Sequence, residues 1–332
     1  MLVRPRLTRA RRAFLVASLF ALTSGFAAAQ SGGAWPTKQV TLVVPFSPGG
    51  STDVVARLMA QRLGDLWKQT VVVDNRAGAG GNIGAALVAH APADGYTLLM
   101  ASGSILTVNP ALYKKTGFDA VKDFVPITEV SSGPMVVVVP AQSDVKTLKE
   151  LVDKAKANPH AINFGSAGIG SQVHMAGEKL ADVAAIDIVH VPYRGEAPAY
   201  ADLMAGQLQV VVGNIAATSS LVAGGKLRAL AVTGKERSKL MPDVPTAAEA
   251  GFPNFENTGW FGLLAPAGTP KEIVDKIWQD TAKVLAQGDV KERLATQGMV
   301  PIGNAPGDFT QAIGKEAKEW AVVVKNRKLE AQ

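Results

Sequence analysis

The chain of 332 residues contains no cysteine. That excludes structural disulfides, a thiol nucleophile, zinc–thiolate sites and a lipid anchor on cysteine. Its four histidines, His90, His160, His174 and His190, lie far apart without ligand spacing, so no metal site is expected. A Gly-x-Ser-x-Gly elbow is missing, and so is a phosphate-loop Gly-Lys-Ser/Thr. Gly225-Lys226, Gly234-Lys235 and Gly314-Lys315 are followed by Leu, Glu and Glu. No Lys/Arg cluster interleaves with aromatics, which removes the footprint of nucleic-acid binding. Beyond the N-terminal segment, no apolar run is long enough to span a membrane. No catalytic residue and no cofactor is expected.

What is present begins with an export signal. Arg4, Arg6, Arg9, Arg11 and Arg12 precede an apolar run from Ala13 to Leu22, and Ala27-Ala28-Ala29 ends it. These are the three regions of a signal peptide spanning residues 1–29, cleaved after Ala29 to leave a periplasmic protein. The run is too short for an anchor. Arg11-Arg12 partly matches a twin-arginine signal, and Sec remains the default route. Cleavage takes five arginines with it, so the formal charge falls from +6 to +1.

Short Val-rich runs alternate with helical patterns, which implies an α/β class. Strands are expected at residues 39–45, 70–74, 96–101, 135–140, 161–165, 187–191, 208–212, 227–233 and 259–265. Their apolar continuity suggests largely parallel sheets buried on both faces. Thr147-Leu148-Lys149-Glu150, Thr246-Ala247-Ala248-Glu249 and Thr269-Pro270-Lys271-Glu272 read as helix starts. Gly206 and Gly251 read as helix stops. The length favours two domains. Breaks at Ser131–Pro134 and Pro253–Asn257 suggest residues 30–132 and 258–332 as a discontinuous domain 1, with 133–257 as domain 2.

The most informative segment is Pro45-Phe46-Ser47-Pro48-Gly49-Gly50-Ser51-Thr52-Asp53. A β-branched strand runs into a glycine loop, and a helix starts at Ser51 or Thr52. Loop N–H groups and the helix dipole make an anion site there. Phe164–Gln172 repeats the arrangement: strand, the glycines Gly168 and Gly170, the hydroxyls of Ser166 and Ser171, then a helix with His174 in its first turn. One such loop per domain can grip one ligand from two sides. Val191-Pro192-Tyr193-Arg194-Gly195-Glu196 is a third loop; Arg194 can fork onto a carboxylate or pair Glu196. Ser102 and Ser104 follow one strand, and Asn214 ends another. Ligands in open α/β sheets bind beyond such carboxyl ends. Arg76–Gly84 is glycine-rich and opens a helix, but its third glycine is displaced and no acid follows at a strand end. A dinucleotide site is not expected from it.

Taken in order, these segments resemble the Bug family, the extracytoplasmic receptors of tripartite tricarboxylate transporters. The resemblance rests on Pro45–Asp53, Asn75–Gly84, Ala93–Leu99, Val191–Gly195, Gly225–Thr233, Pro242–Gly251 and Trp260–Pro270, and covers most of the mature chain. It implies a two-lobed type II periplasmic-binding-protein fold with a hinged inter-domain cleft. It also implies capture of a small carboxylate, partly through backbone N–H groups and bridging waters, and delivery to membrane permease subunits. The ligand-binding set it implies is Phe46, Pro48, Gly49, Gly50, Ser51, Thr52, Asp53, Ser102, Ser166, Ala167, Gly168, Gly170, Ser171, His174, Tyr193, Arg194, Gly195 and Asn214. Many relatives carry an acid just before that asparagine; here it is Gly213, which on this resemblance disfavours an amino-acid ligand. The receptor is expected to be monomeric and not membrane-embedded after cleavage. A periplasmic sensor feeding a signalling partner is the alternative, and an α/β hydrolase a weaker one.

Overall fold

Valine-rich runs form strands here because β-branched side chains pack well on a pleated surface covered from both sides. The computed structural model describes residues 35–331; the expected signal peptide lies outside them. From Lys38 the chain packs as one compact unit.

In chain order the elements are β1 (Val40–Val44), α1 (Ser51–Trp67), β2 (Val71–Asn75), α2 (Asn82–Ala89), β3 (Thr97–Ser102), the short helices α3 (Ser104–Thr107) and α4 (Asn109–Leu112), and β4 (Phe124–Pro140). Next come α5 (Leu148–Ala157), β5 (Asn163–Ser166), α6 (Gln172–Ala184), β6 (Val189–Pro192), α7 (Glu196–Met204), β7 (Val210–Asn214), α8 (Ile215–Ala223) and β8 (Leu227–Val232). The last are β9 (Thr258–Pro266), α9 (Lys271–Ala286), α10 (Gly288–Ala295), β10 (Val300–Pro301) and α11 (Pro306–Asn326).

All nine expected strands form. They are not largely parallel, however. The sheet order is β2-β1-β3-β9-β4-β7-β5-β6, with β8 and β10 also on β4. Parallel pairing holds at the flanks, β2-β1-β3 and β7-β5-β6. Every pair made by β4 or β9 is antiparallel. Buried apolar runs such as Val136–Val139 look alike in either direction, so the sequence carried no sign of this.

The break expected at Ser131–Pro134 is instead continuous strand. Up to Pro134, β4 pairs with β9; from Met135 it pairs with β7 and β8. Register shifts at Pro126/Thr128 and Glu129/Ser131 bend it, which suits proline in a strand.

The helix signals fared unevenly. The Thr147 hydroxyl accepts from the Glu150 N–H at 3.1 Å and caps α5. Thr246 and Glu249 form a reciprocal box, at 2.8 and 3.1 Å, but it closes a turn rather than a helix. Thr269 makes no cap: its hydroxyl donates to the Pro266 carbonyl at 2.8 Å, and α9 begins behind Pro270. The glycine run at 76–84 becomes a tight turn ahead of α2.

Under the β4–β9 ribbon lies an acidic pair. Glu316 of α11 accepts from Trp260 Nε1 at 2.5 Å and Trp320 Nε1 at 3.0 Å. Burial, then the charge of Glu316, pushes Glu129 up to about 7 from its ordinary 4.5. The folded chain thus holds a proton that the unfolded chain has released, and stability falls as pH rises from about 4.5 to 7. Glu129→Gln should stabilise the protein at pH 8 but not at pH 4. Glu129 is only half-buried, so screening leaves roughly 1 kcal/mol of the effect. Thermal melts across that range check it; parallel melting profiles for variant and parent would refute it.

Candidate ligand site

The loop after β1 is shaped from below by Asp53. Its Oδ2 accepts from the Gly49 N–H at 2.9 Å and Arg57 Nε at 2.8 Å. Its Oδ1 accepts from Asn75 Nδ2 at 2.9 Å, and the same amide donates to the Phe46 carbonyl at 3.0 Å. Burial works to raise the Asp53 carboxyl. Hydrogen bonds from Arg57, Gly49 and Asn75 outweigh it and hold the group below the usual range. Asp53 therefore organises the loop from outside the cavity.

At the start of α1, the Ser51 N–H donates to Glu196 Oε2 at 2.8 Å. The Thr52 N–H has no acceptor among the described residues. Ser51 Oγ is buried and unpartnered. Helix α6 presents its N-terminus to the same space. The Ser171 hydroxyl caps it by accepting from the His174 N–H at 3.2 Å. Gln172 Nε2 reaches across to Ser102 Oγ, 3.0 Å, and the Trp260 carbonyl, 2.7 Å. Gln172 Oε1 is left without a partner.

Eight of the expected residues line one cavity: Phe46, Gly50, Ser51, Thr52, Ser102, Ala167, Ser171 and Asn214. Gln172 and Val173 line it too, within the loop carried over from the family. Its volume is about 10 Å³, roughly the room one water needs. A larger hollow of about 640 Å³ lies between α6 and α11. It contains none of the expected residues. Glu178, Asp182, Glu256, Glu316 and Glu319 face Lys179 and Arg327 there, so it is ill suited to an anion.

The other expected residues sit elsewhere. Pro48 and Gly49 are exposed. Ser166 Oγ lies 2.6 Å from His190 Nε2. His174 stacks on His190 at 4.0 Å, and its Nδ1 accepts from the Gly170 N–H at 3.1 Å. Burial, then His174, pushes His190 down to about 3. Gly168 and Gly170 pack against the loop at Gly80 and against Asn109. The Tyr193 hydroxyl donates to Asp202 at 2.6 Å. The Arg194 side chain is exposed, while its carbonyl accepts from the Ser47 N–H at 3.1 Å. Gly195 packs against Ser47.

Glu196, one residue past the segment carried over from the family, is the contributor that sequence reasoning missed. It does not pair Arg194. Its Oε1 accepts from the Asn214 N–H and Nδ2, both 3.0 Å, and from the Tyr200 hydroxyl at 3.1 Å. The arrangement can hold a small polar molecule; no nucleophile and base are paired at the cavity wall.

Residues 55–329 match the family described as the tripartite tricarboxylate transporter family receptor. The chain is 38% identical to BugT of Bordetella pertussis over 317 residues, covering 95% of this chain and 97% of that protein. A structure of an R. palustris protein with adipate superposes with TM-score 0.86 at 36% identity, covering 89% of this chain and 99% of that one. MatC from Rhodopseudomonas palustris, with bound malate, gives 0.83 at 34%, covering 87% and 100%. The fold is the α/β fold of the periplasmic binding protein BugD, which superposes with TM-score 0.86 at 35% identity. Among the described residues, no helix is long and apolar enough to cross a membrane.

Proposed function

Because the chain belongs to the tripartite tricarboxylate transporter receptor family, we propose that it captures a small carboxylate between the α1 and α6 loops and delivers it to that transporter's permease. The observation that carries this reading is the convergence of two helix N-termini on one enclosed cavity, with the Thr52 N–H and the Ser51 hydroxyl uncommitted. Donors of that kind favour an anion. The adipate and malate seen in related structures support the ligand class.

At about 10 Å³ the cavity is too small for such acids, so this is a closed form and the ligand enters an opened one. The lobes that part are residues 30–132 with 258–332, and residues 133–257. The partner switch within β4, at Pro134/Met135, supports that division. Closure excludes water and strengthens the hydrogen bonds to the acid. Bridging waters adapt the site to acids of different length. The receptor releases its ligand unchanged. It works as a periplasmic monomer after cleavage behind Ala29.

A thermal-shift screen of refolded mature protein against carboxylates, amino acids and neutral analogues tests the reading. A true ligand at about 100 times its Kd adds roughly 2.7 kcal/mol. Stabilisation by acids, with the ligand recovered unaltered, is expected. Stabilisation only by sugars or neutral amides would overturn the anion site, and turnover of the ligand would overturn the receptor role.

A further inference from the structure

Glu196 brings a carboxylate to the wall of this cavity with no cation to meet it. The side chain is 5% exposed. Four hydrogen bonds reach it, from the Ser51 and Asn214 N–H groups, Asn214 Nδ2 and the Tyr200 hydroxyl, and every donor is neutral. Three converge on Oε1 and only one on Oε2, so Oε2 keeps acceptor capacity. The hydroxyl of Ser51, which lines the same cavity, is fully buried and also unused.

The neighbouring strand end has no room for an acid. A Cβ on Gly213 would lie 1.9 Å from the Tyr200 hydroxyl. No side chain fits at that strand end while Tyr200 occupies the space. Helix α7 supplies both the tyrosine and, one turn earlier, the carboxylate that binds Asn214.

Buried charges are normally paired, because desolvating one alone is costly. A ligand bearing carboxylates alone would add like charge beside Glu196 in a small cavity. A ligand bearing an ammonium as well would complete the site. Resting on the receptor reading above, we propose that Glu196 recognises a ligand ammonium, so that the preferred ligand is a zwitterionic amino acid rather than a simple carboxylic acid. Its ammonium meets Glu196 Oε2, and its carboxylate takes the Thr52 N–H and the Ser51 hydroxyl.

Isothermal titration with matched pairs tests this: aspartate against succinate, 2-aminoadipate against adipate, alanine against propionate. In the wild-type protein the amino member of at least one pair should bind tenfold or more tightly. Glu196→Gln, with its fold checked by melting, should shrink that preference at least tenfold, the amino member losing more affinity than its des-amino partner. Equal or tighter binding of every des-amino partner by wild-type protein overturns the proposal and leaves the carboxylate receptor standing. An equal loss for both members in Glu196→Gln makes Glu196 a positioning residue for Asn214 only, which also overturns it. Binding of neutral ligands alone overturns both readings. The wild-type comparison decides even if the variant does not fold.

Discussion

Gly80→Leu is expected to weaken ligand binding at least a hundredfold, about 2.7 kcal/mol, with a much smaller effect on folding. Gly80 sits at φ +62° in the turn before α2. A Cβ there would lie 2.0 Å from the Ile169 carbonyl oxygen and 2.9 Å from the Tyr113 hydroxyl. That hydroxyl itself donates to the same carbonyl at 2.6 Å. The turn at residues 79–81 and the loop at 168–170 are thus pressed together backbone to backbone. In the proposed division they belong to different lobes, so their contact is made only on closure. A leucine between them props the cleft open. A ligand drives closure only through its better contacts with the closed state, and those contacts must now work against the wedge. In the open form the substitution costs the left-handed backbone, about 1 kcal/mol, and a small shift of the Tyr113 hydroxyl, which belongs to the same lobe. Titration gives the affinity, and small-angle scattering gives the closure: wild-type protein should contract with ligand and the variant should not. Unchanged affinity would mean the two loops never separate, and the two-lobe closure would fall with them.

Much of this was legible because it is local. Strand, glycine loop and helix start follow one another at Val40–Trp67 and again at Asn163–Ala184, and each junction is fixed by the conformations its own residues allow. Chain direction within the sheet was not legible. The Met135–Val139 half of β4 and β9 from Gly259 on are buried on both faces, so neither carries the alternation that marks a half-exposed antiparallel strand. Ser131-Ser132-Gly133-Pro134 reads as a breaker, yet it is held in strand by pairing to residues 258–261, which only the tertiary fold provides. The site divides along the same line. Backbone donors at Gly50–Thr52 and the cap at Ser171 were readable. Where side chains turn was not: Ser166, His174 and Tyr193 find partners inside their own half, at His190, Gly170 and Asp202. Glu196 acquires its meaning from Asn214 and Ser51, 18 and 145 residues away, and nothing in Gly195-Glu196-Ala197 announces it.

Asp53→Ala should cost about 3 kcal/mol of stability and disable ligand binding together. Asp53 is 2% exposed and ties three segments: the Gly49 N–H, Asn75 at the end of β2, and Arg57 one turn along α1. Removing it leaves a loop N–H and one of the two Asn75 amide hydrogens without an acceptor and deletes an acid from the positive end of α1. Each loss of that kind is worth roughly 1 kcal/mol or more. For a chain of this size that corresponds to a melting temperature lower by about 6 °C or more. Affinity falls because the Phe46–Gly50 loop is no longer held where the Ser51 and Thr52 donors point into the cavity. The loss must also depend on pH in one direction. Hydrogen bonds hold the folded carboxyl below its ordinary 3.8, so its stabilisation is full above that value and vanishes as pH drops through the folded one. Melting curves for Asp53→Ala and wild type should therefore lie apart at pH 7 and draw together as pH falls below 3.8. A gap that persists undiminished into acid would show that shape rather than charge is what Asp53 contributes. Asp53→Asn separates the two directly: it preserves the shape and should recover less than half of the lost stability if the charge on Arg57 and the helix end matters as argued.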